Sequence, residues 1–183
     1  MNNLLFVYGT LLAADTGTTG RSQRTRLARA SRIVGQATLP GHLYDLGRYP
    51  ALVIIGDLHR RPAPSTSAKP DISRHAADVG LPPDQSVRGQ HRPTARFSEA
   101  ADQDGTASLV HGELLELADP ARSLAWLDAY EGIVPGPHPH NDYERIERTV
   151  TLTDGATASA WVYVWRAALG PATLIPGGRW LSR

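Results

Sequence analysis

The chain has 183 residues, of which 41% are hydrophobic, enough for one domain with its own core and too short for two comfortable ones. Nineteen Lys and Arg nearly balance eighteen Asp and Glu, so no overall field holds nucleic acid or an anionic membrane, and a small neutral or zwitterionic ligand fits better. The absence of cysteine excludes disulfides, thiolate metal sites, redox couples and a cysteine nucleophile. The first residues, Met1-Asn2-Asn3 before Leu4 to Val7, lack a basic n-region and carry too short an apolar run for a signal peptide or a membrane span. The expected protein is therefore cytoplasmic.

Leu4 to Tyr8 is a continuous apolar, β-prone run, the pattern of a strand buried on both sides, and it ends at Gly9-Thr10. Gly9 can adopt backbone angles closed to other residues, and the amides of Thr10 and Leu11 can then form an anion-binding nest, although from these residues alone an ordinary strand-ending turn is the better reading. Gly17 to Gly20 add a polar loop, but neither a Gly-Lys-Ser/Thr nor a G-x-G-x-x-G spacing follows, and no nucleotide site is read. Arg21, Arg24, Arg26, Arg29 and Arg32 spread around a helical axis without interleaved aromatics, as expected for a solvated helix or loop. Ile33 to Leu39 and His42 to Leu46 read as strands around Pro40-Gly41, and Gly47 to Leu52 as a break in regular structure suited to the wall of a cleft.

Between Asp57 and Ser108 the composition changes. Six of the fourteen prolines fall there, apolar residues thin out, and the segment cannot bury a core of its own. It is expected to be a disordered insertion in a surface loop, with a lid or partner site as the minority alternative. Its His59, His75 and His91 are too far apart to suggest a metal site. Leu109 to Leu117 returns to strand alternation. Asp119-Pro120 then supplies an N-cap and a first-turn proline, and Gly132 a C′ residue, for a helix from Ala121 to about Glu131. His138-x-His140 with Asp142, in a Pro-rich loop without a third spaced ligand, is too weak a pattern for a metal centre. Tyr143 to Thr153 and Thr157 to Arg166, joined by Asp154-Gly155-Ala156, form the clearest hairpin, and the tail from Leu174 to Trp180 is expected to fold back as a closing flap. The fold class expected from these elements is α+β: a small mixed β-barrel of about six strands with few helices.

Glu131 stands where local physics would not put a carboxylate. It occupies the last helical turn, where the dipole favours cations, and projects between the directions of Leu124 and Leu127, into the apolar stripe. A carboxylate partly removed from water has its pKa raised toward the range that proton transfer needs, unless it snorkels to solvent or caps a neighbouring backbone.

The ordered pieces Val7-Tyr8-Gly9-Thr10-Leu11, Gly41-His42-Leu43-Tyr44-Asp45-Leu46-Gly47 with Tyr49-Pro50-Ala51-Leu52, Val110-His111-Gly112-Glu113-Leu114, Leu127-Asp128-Ala129-Tyr130-Glu131-Gly132, Tyr143-Glu144-Arg145, Ala160-Trp161-Val162-Tyr163 and Ile175-Pro176-Gly177-Gly178 resemble the γ-glutamylcyclotransferase-like proteins, which include γ-glutamylamine cyclotransferases and AIG2-like relatives. They span nearly the whole chain outside the 57–108 insertion. The resemblance implies a single γ-glutamylcyclotransferase-like domain over 1–183, a barrel with a cavity at one end, and release of 5-oxoproline from a γ-glutamyl amine or amino acid without cofactor or metal. It implies Glu131 as general acid/base and Tyr8, Gly9, Thr10 and Leu11 as the substrate-binding loop. Tyr143 and Arg145 are second-rank candidates, for a ligand carboxylate, for positioning Glu131, or as structural residues opening a strand. Asp128 is expected to order the loop after the first strand. The implied partner is a small γ-glutamyl molecule, with no nucleic acid and no membrane. The alternatives are a non-catalytic ligand-binding or interaction module on the same barrel and a biosynthetic cyclotransferase that removes a γ-glutamyl protecting group.

Overall fold

The computed structural model describes residues 2–54, 108–136 and 141–182. The readings made on 57–107, on His59, His75 and His91, and on His138 and His140 lie outside the described residues. Ten elements of regular structure follow in chain order. They are β1 (Leu4–Val7), α1 (Arg21–Ala30), β2 (Ser31–Pro40), β3 (His42–Asp45), β4 (Pro50–Val53), β5 (Leu109–Leu117), α2 (Pro120–Tyr130), β6 (Tyr143–Leu152), β7 (Thr157–Trp165) and β8 (Thr173–Leu174), with short 3₁₀ turns at Pro176–Gly178 and Trp180–Ser182.

Five strands close into a barrel in the order β1-β5-β2-β6-β7, and β4-β3-β8 form a separate small sheet. The expected α+β barrel with few helices is thus present, with five strands in the barrel rather than about six. β1 is apolar along its length and is paired on both sides: antiparallel to β5, with Phe6 opposite Leu114, and parallel to β7 at Leu5 and Trp161. Leu5, Phe6, Val110, Leu114, Val150, Val162 and Val164 are all but inaccessible, and each such side chain stabilises the fold by about 1.5–3 kcal/mol relative to exposure. β1 can lie this close to β5 because Gly112 has no side chain. A Cβ there would stand 2.1 Å from the Val7 carbonyl oxygen and 2.7 Å from the Phe6 ring.

Pairing directions determine which chain segments meet. Because β1 and β7 are parallel, Tyr8 leaves the barrel at the same end as Trp165. The β6–β7 register sets Tyr143 opposite Trp165, so β6 begins at that end too. β4 corrects one expectation: the stretch around Pro50 is a strand, paired to β3 with Pro50 opposite Asp45, and the break is confined to the turn before it, where Gly47 has φ 92°. Proline is tolerated there as the first residue of an edge strand. β4 is buried throughout and lines this same end of the barrel as a wall. The tail folds back as expected. β8 pairs with β3, Gly178 sits against the Leu109 carbonyl, and the Trp180 indole N–H donates to Asp15 at 3.0 Å. Among the described residues, no helix is long and apolar enough to cross a membrane.

Candidate active site

α2 begins as its residues dictate, with the Asp119 carboxylate accepting the Arg122 N–H at 3.0 Å and Pro120 in the first turn. It ends in a Schellman motif: the Ile133 N–H donates to the Asp128 carbonyl at 2.8 Å and the Gly132 N–H to the Ala129 carbonyl at 3.4 Å, with Gly132 at φ 72°. Glu131 is the C-cap, one residue beyond the helix proper. Leu124 and Leu127 on either side of its direction are buried, and Glu131 itself is half-buried.

Burial pushes the Glu131 carboxyl up to about 7, and the negative end of the α2 dipole acts in the same direction. Its environment consists of tyrosines. Tyr8, Tyr130, Tyr143 and Tyr163 all feel its charge, and burial is the main cause that raises each of these phenols. Three of the hydroxyls have acceptors elsewhere: Tyr8 donates to the Tyr163 carbonyl at 2.6 Å, Tyr143 to the Pro50 carbonyl at 2.7 Å, and Tyr163 to Asp128 at 2.8 Å. Tyr130 bonds the Thr10 side chain. No hydrogen bond reaches the Glu131 carboxylate among the described residues.

The loop after β1 meets this helix end. Gly9 and Thr10 are buried, and among the described residues the Thr10 and Leu11 N–H groups find no acceptor, although the turn is closed by the Leu12 N–H donating to the Gly9 carbonyl. Gly9 has no positive φ. Its side chain is excluded by space, because a Cβ would stand 2.4 Å from Cγ of Pro50, so the glycine serves close approach to β4 and not an unusual backbone angle. Behind the loop, the buried Glu113 carboxylate accepts the Ala13 N–H at 3.0 Å.

Tyr143 and Arg145 are both at the site's edge and both engaged. Arg145 forms a bidentate pair with Asp128, at 2.9 and 3.1 Å, and lies 4.6 Å over the Trp161 ring. The expectation for Asp128 is corrected: it binds the β6–β7 hairpin through Arg145 and Tyr163, not the loop after β1. Tyr143 packs edge-on against Trp165 at 5.0 Å, with Tyr49 over both. A pocket of about 370 Å³ between Asp128 and Ile133 on one side and Tyr143, Arg145 and Arg166 on the other is bordered by neither Glu131 nor residues 8–11. Its two guanidinium groups are matched by carboxylates, Arg145 by Asp128 and Arg166 by Glu144, which leaves no unmatched positive charge there for an anion. No cluster of three or more His, Asp or Glu suited to a metal occurs among the described residues.

The structure thus gathers Tyr8, Gly9, Thr10, Tyr143 and Glu131 at one end of the barrel, with Leu11 on the rim and Arg145 at the edge, paired with Asp128 of α2. Sequence reasoning passed over Tyr49, Tyr130 and Arg24. The tyrosines carry a readable signal, since Tyr130 precedes Glu131 in the last turn and Tyr49 precedes a strand-opening proline.

The model of the family described as "Gamma-glutamyl cyclotransferase, AIG2-like" matches residues 84–182, more than half of the chain. No curated protein matches. Among solved structures, YkqA from Bacillus subtilis is 21% identical with a TM-score of 0.52, over 100% of this chain and 40% of that one. PH0828 from Pyrococcus horikoshii is 12% identical with a TM-score of 0.50, over 99% of this chain and 92% of that one. Both are likenesses of fold, and this chain spans well under half the length of YkqA. With the family match running through β5, α2, the Glu131 terminus and the β6–β7 hairpin, the chain belongs to the γ-glutamyl cyclotransferase, AIG2-like family.

Proposed function

We propose that the protein is a cofactor-independent cyclotransferase that converts a γ-glutamyl amine or γ-glutamyl amino acid to 5-oxoproline and a free amine, with Glu131 as general acid/base. The observation that carries this reading is the Glu131 carboxylate, half-buried at a fixed helix end, brought to about 7 by burial, and near enough for Tyr8 to feel its charge at the start of a loop whose Thr10 and Leu11 amides find no acceptor among the described residues. The substrate carries its own nucleophile. Its α-amine attacks the γ-carbonyl to close a five-membered lactam, so neither water nor an enzyme nucleophile enters the reaction.

At neutral pH the α-amine is an ammonium. Glu131 takes one of its protons, which frees the lone pair for attack on the γ-carbonyl. Once the N–C bond has formed the ring nitrogen gives up a second proton, and both protons leave on the departing nitrogen, which is released as an ammonium when the C–N bond breaks. A base with pKa near the working pH is well matched to both halves of that transfer. The Thr10 and Leu11 N–H groups hold a substrate oxygen, and the walls given by Tyr8, Tyr143 and β4 fold the glutamyl chain toward attack, converting a floppy chain into a near-attack shape. Tyr8, Gly9, Thr10 and Leu11 are on this reading the substrate loop, and Tyr143 a wall of the site. Arg145, already paired, positions α2 rather than binding substrate.

The test is 5-oxoproline release across γ-glutamyl amino acids, γ-glutamyl-ε-lysine, glutathione and simple γ-glutamyl amines, with Glu131→Gln beside the wild type. Release by the wild type and its loss in the variant supports the assignment and names the leaving amine. Equal release by both proteins would remove Glu131 from the chemistry. Silence of folded wild type on every substrate would overturn the reading.

A further inference from the structure

The loop after β1, which meets the α2 end where Thr10 bonds Tyr130, is organised by one side chain, Arg24, which the reading of the arginines as a solvated set does not single out. Its side chain is only 10% exposed. The guanidinium donates to the Thr10 carbonyl at 2.5 Å, to the Thr19 carbonyl at 2.8 Å and to the Gly17 carbonyl. Asp15, equally buried, lies 3.8 Å away, and its carboxylate also accepts the Gly17 N–H at 2.6 Å and the Trp180 indole. α1 starts hard against the loop: Gly20, its N-cap, would bring a Cβ within 3.1 Å of the Thr10 carbonyl and 3.2 Å of its hydroxyl. Thr10 in turn bonds Tyr130, the residue before Glu131.

These contacts form a continuous path from Arg24 through the Thr10 peptide to the helix end. A carbonyl held by a guanidinium fixes its peptide plane, and the Thr10 carbonyl belongs to the same peptide plane as the Leu11 N–H, which finds no acceptor among the described residues. We propose that Arg24 is a positioning residue for the substrate loop: by holding three loop carbonyls on one planar group it aims the Leu11 amide, and so sets substrate affinity without touching the reacting atoms. Arginine is required because five donors in a rigid fork can reach three acceptors, which a lysine ammonium does only by giving up geometry. The inference rests on the cyclotransferase reading for its kinetic consequence, but not for its structural one.

Two measurements on Arg24→Gln and Arg24→Lys test it. Amide hydrogen exchange in the full chain should speed up about tenfold or more over residues 9–19 in Arg24→Gln, with β5 and β7 unchanged, and less in Arg24→Lys. On the best γ-glutamyl substrate, KM should rise about tenfold or more while kcat stays within about threefold and the pH at half-maximal kcat/KM does not move. Loop exchange equal to wild type in both variants overturns the proposal, as does a fall in kcat at unchanged KM. If Arg24→Gln exchanges faster everywhere, its fold is lost and Arg24→Lys, which keeps charge and stem, decides by the same two criteria. Wild type that releases no 5-oxoproline overturns the cyclotransferase reading, whereas the exchange result still decides whether Arg24 orders the loop.

Discussion

Replacing Glu131 by Gln should stabilise the protein at alkaline pH while removing its activity. A carboxyl that ionises near 4.5 in the unfolded chain and at about 7 in the fold is penalised whenever it is charged. The sign follows from proton counts: between those two values the folded state binds more protons than the unfolded state, so stability falls as pH rises through the window. At 1.36 kcal/mol per pK unit, the full penalty is about 3 kcal/mol by pH 8, less than about 1 kcal/mol at pH 5, and nearly gone at pH 4. Glutamine keeps the shape and carries no charge to penalise. Urea unfolding of the two proteins at pH 5 and pH 8 measures the effect. Glu131→Gln should gain about 2–3 kcal/mol on wild type at pH 8 and converge toward it at pH 5. A difference independent of pH, or a variant less stable at pH 8, would refute the claim that burial penalises the Glu131 charge, whatever the substrate turns out to be.

Three further outcomes follow from the geometry. If Glu131 must be deprotonated to act, kcat/KM should climb as pH rises through about 7, a limb absent from any residual activity of Glu131→Gln; a profile flat between pH 6 and 8 would contradict it. Asp128→Asn trades a bidentate ionic pair for a single amide oxygen and should cost about 1–3 kcal/mol in urea unfolding at pH 7.5, with a loss under about 0.5 kcal/mol showing that Arg145 is held by solvent instead. Gly9→Ala puts a methyl 2.4 Å from the Pro50 ring and should cost about 1–3 kcal/mol; Pro50→Ala in the same chain should recover most of it, and a purely additive double mutant would locate the strain elsewhere.

Where the fold was legible, the signal was local. β1 is an unbroken apolar run, β5 and the hairpin alternate or run apolar between turn residues, and α2 is bracketed by Asp119-Pro120 and Gly132, so each announces itself within its own ten residues. What failed depended on distant chain. Pro50 breaks regular structure by propensity, but β3 and the barrel supply enough pairing and burial to make Pro50–Val53 a strand. Arg24 looks like its four neighbours because its burial is created by a loop that folds over it from residues 10–19. The partners of Asp128 lie 17 and 35 residues away, on strands whose register no single segment encodes. The partial burial of Glu131 was legible because its anomaly, a carboxylate between the directions of Leu124 and Leu127 at the wrong end of a dipole, is contained in the last two turns of one helix.

The tyrosines explain why that anomaly survives folding as a raised pKa instead of being cancelled. A phenol that donates to a carboxylate stabilises the charged form and lowers its pKa. Around Glu131 three hydroxyls have a firmer claim elsewhere, Tyr8 on the Tyr163 carbonyl, Tyr143 on the Pro50 carbonyl and Tyr163 on Asp128, while the Tyr130 oxygen accepts from Thr10. The rings of Tyr8, Tyr143 and Tyr163 therefore exclude water without offering protons. Tyr143→Phe should then leave the acid midpoint of kcat/KM near 7 while costing about 1 kcal/mol of stability for the lost bond to β4. Were the Tyr143 hydroxyl serving Glu131 instead, its removal would push that midpoint upward by a measurable fraction of a pH unit. A shift of that kind would mean that the Glu131 carboxyl is tuned by hydrogen bonding and not by desolvation.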